Sequence, residues 1–272
     1  MSLLRKFQLL NLDIVVGAVL NGIFFAVCFR TRITWFTLLT LAIAVWIIYT
    51  GDRLLDARKS GNMPDTPRHR FHQKNRKGLL IAMSVTALVA LLVIPLLPMI
   101  TVLYGLGLFL IVLSYFVFLM SFKPLLFPKE PVIALLYTCG VALPALSLSV
   151  PEGRMFIIIL QHTTLAFLNL LLISYYEVKI DAKSGHRSLA LNLGKKKTET
   201  LLLVLFWLLF LSILVDLVVY REMFSFLIQA TFFCMWLVLF MIKFSGGYFK
   251  SNDRYRTWAD LAFWIPGWII WL

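Results

Sequence analysis

Two pairs of acidic residues with the same internal spacing are the side chains in this sequence best suited to chemistry. Asp52 and Asp56 form the first pair, Glu177 and Asp181 form the second, and each pair follows a long apolar run. Carboxylates four residues apart lie on one face of a helix, about 6 Å apart along its axis. Like charges so placed repel each other, so basic neighbours or a divalent cation must compensate them.

The repetition of the pair favours a metal site over a merely charged surface. Each member of the second pair follows its counterpart in the first by 125 residues, and Lys, Arg and His residues follow both pairs. Mg²⁺ binds through one or two carboxylates together with waters and substrate phosphates. Two such pairs around one diphosphate would form a two-metal clamp that makes diphosphate a good leaving group. The pattern therefore predicts Mg²⁺-dependent ionisation of a diphosphate ester with an apolar remainder.

The elements that must position these residues are membrane-spanning helices. The chain has 272 residues, of which 61% are hydrophobic and only 14% charged, and its mean hydropathy is +0.88. Apolar runs of about 17–22 residues are long enough to cross about 30 Å of hydrocarbon. Nine runs qualify: 11–29, 33–51, 79–97, 100–120, 131–150, 155–176, 200–220, 223–244 and 257–272. We therefore predict an all-α polytopic membrane protein with one transmembrane domain over residues 1–272.

The basic residues predict how these spans are oriented. Of the 26 Lys and Arg residues, 22 fall on the side that holds the amino terminus and the longer loops. By the positive-inside rule that side is cytoplasmic, and we expect an integral protein of the bacterial inner membrane. The net charge of +13 is divided among loops at the membrane edge, so it does not indicate a nucleic-acid partner. The lipid bilayer is the partner that the composition predicts.

At the acidic pairs the chain resembles the UbiA superfamily of intramembrane prenyltransferases. Members of that family carry nine transmembrane helices, a motif N-x-x-x-D-x-x-x-D after the second helix and a motif D-x-x-x-D-x-x-x-G after the sixth. The matching positions here are Ile48, Asp52 and Asp56 in the first motif and Glu177, Asp181 and Gly185 in the second. Residues 67–68, 122–129 and 188–194 resemble further conserved stretches of the family. The resemblance covers nearly the whole chain.

The resemblance implies a fold, a reaction and a set of site residues. The fold would be nine helices around a central cavity, with cytoplasmic active-site loops at 52–78, 121–130 and 177–199. The reaction would be transfer of a prenyl group from an isoprenyl diphosphate to an aromatic or other lipophilic acceptor, with Mg²⁺ as the cofactor. The catalytic, metal-binding residues would be Asp52, Asp56, Glu177 and Asp181. The implied diphosphate contacts are Lys129, Arg68 and Lys183, with Lys123 and Lys179 in reserve.

Two departures from the family pattern leave the reaction outcome open. Ile48 replaces the motif Asn and cannot ligate a metal or hydrogen-bond a phosphate, so one contact is missing unless Tyr49 or another side chain substitutes for it. Glu177 replaces an Asp and extends the reach of the carboxylate by one methylene. The alternative to a transferase is a UbiA-type membrane terpene cyclase, in which the allylic cation is quenched intramolecularly. The prenyl chain length, the acceptor and the oligomeric state are not specified.

Several polar residues within or beside the spans have more than one possible role. Tyr175 and Tyr176 could stabilise an allylic cation through their rings or belong to an interfacial aromatic belt. His162 is expected to make a helix-packing hydrogen bond rather than relay protons. Acids inside a membrane are functional candidates by default. The sequence assigns no partner to three of them, Asp13, Asp216 and Asp260.

Overall fold

The structure, a computed structural model, describes residues 3–59, 67–121, 129–184 and 188–271, and over these ranges it is helical without strands. The α-helices are α1 (Leu3–Leu9), α2 (Leu12–Cys28), α3 (Trp35–Lys59), α4 (Pro67–Lys74), α5 (Arg76–Val93), α6 (Met99–Ser121), α7 (Lys129–Leu146), α8 (Gly153–Ser184), α9 (Leu189–Leu193), α10 (Lys195–Val219), α11 (Met223–Phe244), α12 (Gly246–Lys250) and α13 (Arg254–Ala262). Short 3₁₀ helices cover Ile94–Leu96, Ser251–Asp253 and Ile265–Trp271. The predicted all-α fold is confirmed for the described residues.

Six helical segments of the described chain are long and apolar enough to cross a membrane: Trp35–Leu55, Arg76–Leu96, Lys129–Leu146, Gly153–Ala182, Lys195–Val219 and Met223–Phe244. Two shorter apolar helical segments, Leu12–Cys28 and Met99–Tyr115, accompany them. The ninth predicted span, 257–272, is divided between α13 and the last 3₁₀ helix. The structure thus supports a membrane-spanning protein, and the count of nine spans stays a prediction.

Two helices continue beyond the apolar runs from which their spans were predicted. Helix α3 ends at Lys59 and α8 ends at Ser184, whereas the predicted spans end at 51 and 176. The added segments contain Ala, Leu, Arg and Lys, which favour helix, and these residues keep the backbone helical after the hydrophobicity falls. The acidic pairs therefore lie on the last turns of continuous helices, as their i, i+4 spacing predicts, and the ranges 52–78 and 177–199 that were predicted as loops begin as helix.

The long helices alternate in direction, so the bundle has two chemically different ends. The acidic end contains the carboxyl ends of α3 and α8, and the opposite end contains the turn between α10 and α11. Helix α2 packs against α3 and α7, and α7 packs in turn against α8. Large side chains fill the space between them, including the fully buried Phe24, Phe25, Leu165 and Phe232. In contrast, α5 and α6 expose most of their apolar surface, as helices that face lipid do.

A hydrogen-bonded group centred on His162 joins four helical segments inside the bundle. His162 Nδ1 lies 2.9 Å from Thr138 Oγ1, and Nε2 lies 2.9 Å from Asn21 Oδ1. Asn21 Nδ2 donates to the carbonyls of Gly17 and Phe263, at 2.7 and 2.8 Å. Because both amide hydrogens are used in this way, Asn21 Oδ1 must accept, which places the imidazole hydrogen on Nε2. His162 therefore makes the helix-packing hydrogen bonds that were expected of it.

The polar contacts near the opposite end join α8 to α10 and α11. Arg154 pairs with the buried Asp216 at 3.0 Å, and its guanidinium lies over the Tyr220 ring at 4.4 Å. About two helical turns deeper, Gln161 Nε2 donates to Ser212 Oγ at 3.0 Å and Gln161 Oε1 accepts from Gln229 Nε2 at 3.1 Å. Asp216 thus has an ion-pair partner that the sequence could not identify, and its role is to hold helices together.

The carboxyl-terminal segment closes the bundle against its first helices. Thr257 Oγ1 accepts a hydrogen bond from Gln8 Nε2 at 3.2 Å, and Trp264 Nε1 donates to the carbonyl of Asp13 at 2.8 Å. Together with the bond from Asn21 to Phe263, these contacts connect residues about 240–250 positions apart in the chain. The segment from Thr257 to Trp264 is therefore held against α1 and α2.

Candidate active site

Glu177 is a buried carboxylate with two partners from the carboxyl-terminal segment. Only 7% of the residue is exposed. Its Oε1 accepts a hydrogen bond from the Tyr255 hydroxyl at 2.8 Å and forms an ion pair with Nε of Arg256. A buried carboxylate is tolerated only when it is paired and hydrogen-bonded. The predicted role of Glu177 as a metal-binding catalytic residue stays a prediction, and the sequence did not predict its neighbours on α13.

The Glu177 carboxylate shifts the pKa values of the two groups that bind it. Burial raises the pKa of the Tyr255 hydroxyl, and the adjacent Glu177 carboxylate raises it further, so Tyr255 stays a neutral donor. Burial opposes the charge of Arg256, but Glu177 more than offsets that cost and raises the pKa of the guanidinium above its ordinary value. The guanidinium of Arg256 is therefore held in its charged form at any physiological pH.

Four charged groups act electrostatically on the hydroxyl of Tyr49 on α3: Asp260, Arg53, Asp52 and Asp13. The three acids among them come from three different helices, α2, α3 and α13. Asp13 and Asp260, which had no assigned partner, thus act on the same tyrosine as Asp52 of the first acidic pair. Each had one sequence signal, a single acid within or next to an apolar run.

Position 48 does not face this group. Ile48 is 46% exposed, whereas Tyr49 packs against the buried core. One residue on a helix corresponds to a rotation of about 100°, which separates the two side chains onto different faces. A side chain at position 48 therefore does not contribute to the inward face of α3. On the preceding turn, Tyr49 is the residue on which Asp52 acts electrostatically.

Helix α13 connects the two acidic helices. Its Tyr255 and Arg256 bind Glu177 of α8, and Asp260, one turn later, acts electrostatically on Tyr49 of α3. The carbonyl of Ala259 also accepts a hydrogen bond from Asn169 of α8 at 3.4 Å. The sequence signal for this helix is the group of charged residues at 253–260, which overlaps the start of the predicted ninth span, 257–272.

The two tyrosines before Glu177 have their rings engaged. The Lys243 ammonium lies 4.2 Å from the centroid of the Tyr175 ring, and the Tyr175 hydroxyl donates to Glu199. Tyr176 stacks on Tyr255 at 4.7 Å, and its hydroxyl donates to the carbonyl of residue 242 at 2.7 Å. These contacts favour a role in holding α8, α10 and α11 together over stabilisation of a substrate cation.

The other predicted residues are placed as follows. Asp52 and Asp181 are partly exposed near the ends of α3 and α8, and Lys129 and Lys179 are exposed. The side chains of Asp56, Arg68 and Lys183 lie outside the described part of the chain, as do residues 122–128 with Lys123 and the motif glycine at 185. The described residues thus place Asp52 and Asp181 at one end of the bundle, on helices that α7 contacts in common.

The donor set is compatible with Mg²⁺ only if substrate supplies part of the coordination. Over the described ranges, no group of three or more His, Cys, Asp or Glu side chains is arranged to hold a metal. A magnesium ion that is shared with phosphate oxygens needs only one or two protein carboxylates. Asp52 and Asp181 meet that requirement, because both are partly exposed acids at helix ends. Oε1 of Glu177 binds the Tyr255 hydroxyl and the Arg256 guanidinium.

Glu130 is a buried acid that the sequence analysis passed over in favour of its neighbour Lys129. It is 3% exposed, and its Oε1 accepts hydrogen bonds from Ser174 Oγ at 3.2 Å and from the backbone N–H of Leu189 at 2.7 Å. Ser174 lies one turn before Glu177 on α8, and Leu189 begins α9. Glu130 therefore holds the start of α9 beside the second acidic pair.

We expect Glu130→Ala to release the start of α9, whereas Glu130→Gln keeps an acceptor oxygen and retains it. Loss of a single amide hydrogen bond exposes that N–H to solvent, so the exchange of the Leu189 amide should accelerate by about tenfold. Hydrogen–deuterium exchange with fragment resolution over residues 188–194 measures this directly. Unchanged exchange in Glu130→Ala would show that the bond does not hold α9.

Comparison of the chain with protein-family models, with curated proteins and with solved structures gave no match.

Proposed function

We propose that this protein is a Mg²⁺-dependent intramembrane prenyltransferase of the UbiA type, with nine spans and with its acidic end in the cytoplasm of a bacterial inner membrane. It ionises an isoprenyl diphosphate and transfers the prenyl group to an aromatic or other lipophilic acceptor. The observation that supports the proposal is the set of acids at one end of an apolar bundle, where Asp13, Asp52 and Asp260 act electrostatically on Tyr49 and Glu177 of α8 is buried. Acids at a membrane edge are costly unless cations and a polyanion use them.

Different residues of the chain would bind the metal and the phosphate oxygens. Asp52 and Asp181, which are partly exposed, would bind magnesium together with Asp56 and Glu177. Bound magnesium would supply Lewis-acid stabilisation of the departing diphosphate. Lys129 at the start of α7, with Arg68 and Lys183, would bind the phosphate oxygens through charge-assisted hydrogen bonds. The apolar faces of the helices would hold the prenyl chain and keep water from the cation.

Purified protein in lipid nanodiscs, supplied with isoprenyl diphosphates of graded length, tests the proposal. We expect diphosphate release that requires Mg²⁺ and stops with a chelator, because the leaving group needs charge neutralisation. Mass spectrometry of reactions with the host lipid extract should detect a prenylated acceptor. Absence of release with every chain length, with and without the extract, would refute the proposal. Release with a hydrocarbon or terpene alcohol as the product and no need for an acceptor would indicate the cyclase instead.

A further inference from the structure

The turn between α4 and α5 forms a basic projection at the acidic end of the bundle. We call residues 73–78 the elbow, and all six of them are exposed. Lys74, Arg76 and Lys77 give the elbow three positive charges within four positions. The sequence contains no acidic residue between Asp65 and Glu130, so no carboxylate of the elbow or of the helix that follows it balances these charges.

The elbow borders a depression that is basic on one side and apolar on the other. The depression has a volume of about 590 Å³, and the three cations line it together with Leu80. Leu80 is 44% exposed, and the next residue, Ile81, is 66% exposed. A molecule that fills the depression would therefore meet cations at one end and an exposed hydrocarbon surface at the other. An amphipathic anion satisfies both.

The position of the elbow relative to the membrane selects the partner. The candidate membrane-spanning segment that includes α5 begins at Arg76, so in a bilayer the three cations would lie at the boundary between lipid headgroups and acyl chains. Clusters of Lys and Arg beside a span attract anionic lipids at this depth. We propose that the elbow binds the headgroup of an anionic phospholipid, whose acyl chains lie along the exposed face of α5.

A second basic run at the same end provides a comparison within the chain. Lys195, Lys196 and Lys197 begin α10 and are exposed, and Lys197 borders a depression of about 410 Å³. Glu199 lies within one turn of them and interacts electrostatically with Lys195. The run at α10 thus carries the same number of cations with an acid two positions after its last lysine, whereas the sequence that follows the elbow holds no acid before Glu130.

Matched triple substitutions distinguish a lipid site from general surface charge. The elbow variant is Lys74→Gln, Arg76→Gln and Lys77→Gln, and the control is Lys195→Gln, Lys196→Gln and Lys197→Gln. Each protein is reconstituted in nanodiscs of phosphatidylcholine with or without phosphatidylglycerol, and retained lipid is counted by native mass spectrometry after release. We expect the elbow variant to lose the preference for phosphatidylglycerol by about tenfold or more, and the control to keep most of it.

Three results would overturn the inference. The elbow variant could retain phosphatidylglycerol as the original protein does, or the control could lose as much as the elbow variant. Displacement of the lipid by inorganic phosphate at equal concentration would show that the elbow takes a free anion instead of a lipid. Thermal unfolding of both variants should match that of the original protein, because all six residues are exposed, and it confirms that folded proteins are compared.

Discussion

Asp52→Asn and Asp181→Asn are each expected to lower Mg²⁺-dependent diphosphate release by about 10²- to 10³-fold, the scale on which single charge-stabilising groups act in catalysis. Each substitution keeps the size of the side chain but removes a negative charge from a partly exposed helix end. An amide oxygen is a weaker ligand for magnesium than a carboxylate, so the metal requirement should shift to higher Mg²⁺ concentration in both variants. Initial rates over a Mg²⁺ titration measure both effects.

Two exposed acids serve as controls for these variants. Asp253→Asn changes a carboxylate at the acidic end, and Glu152→Gln changes one at the opposite end. Both should release diphosphate at the rate of the original protein. Retention of activity in two or more of the four carboxylate variants at 52, 56, 177 and 181 would remove these residues as the site.

Arg256→Gln is expected to destabilise the protein by about 3 kcal/mol, because it leaves the buried Glu177 carboxylate without its counter-charge. The double variant Glu177→Gln with Arg256→Gln should recover most of this loss, since an amide in place of the carboxylate no longer needs a cation. Both side chains are largely buried, at 9% and 19% exposure, so solvent screens the pair only weakly. Reversible unfolding in detergent, arranged as a double-mutant cycle, measures the coupling.

The matched control for Arg256 is Arg254 on the same helix. Its guanidinium lies over the Tyr248 ring at 4.5 Å, and Arg254→Gln should cost at most about 1 kcal/mol, as expected for an exposed cation–π contact. If Arg256→Gln costs no more than this control, the ion pair contributes nothing to the fold. If the double variant is as unstable as the single one, Tyr255 alone does not satisfy residue 177.

Hydrophobic run length was sufficient to predict most of the long helices but not where they end. An apolar run reports where a helix can lie in lipid, whereas α3 and α8 continue for two turns after the run has finished. The last predicted span, 257–272, is not one continuous helix over the described residues. Pro266 cannot donate a backbone hydrogen bond, and the chain from 265 onward forms a 3₁₀ helix after the short α13. The segment 257–272 is as apolar as a run that forms one continuous helix, so hydropathy alone does not distinguish a helix that spans a membrane from a short α-helix followed by a 3₁₀ helix.

For the candidate site, the sequence identified acids on α3 and α8 but not the residues that surround them. The i, i+4 spacing and the repeated pattern were local signals. Arg256 pairs with Glu177 across 79 positions, and Asp13 and Asp260 approach Tyr49 from opposite ends of the chain. Such pairings depend on how the helices pack, and a single sequence contains no short pattern that predicts this packing. The role of Glu130 could not be predicted from charge patterns, because its partners are a serine hydroxyl and a backbone N–H.

The late position of Arg256 in the chain has a consequence for biosynthesis. Glu177 enters the membrane 79 residues before its counter-ion is made, and Asn21 precedes the carbonyl of Phe263 by 242 residues. Until α13 has been made, the nascent bundle carries a carboxylate at the acidic end without the guanidinium that pairs with it. The acidic end is therefore completed only after α13 has been synthesised, and a chain that stops before α13 carries the acids of α3 and α8 without the helix that joins them.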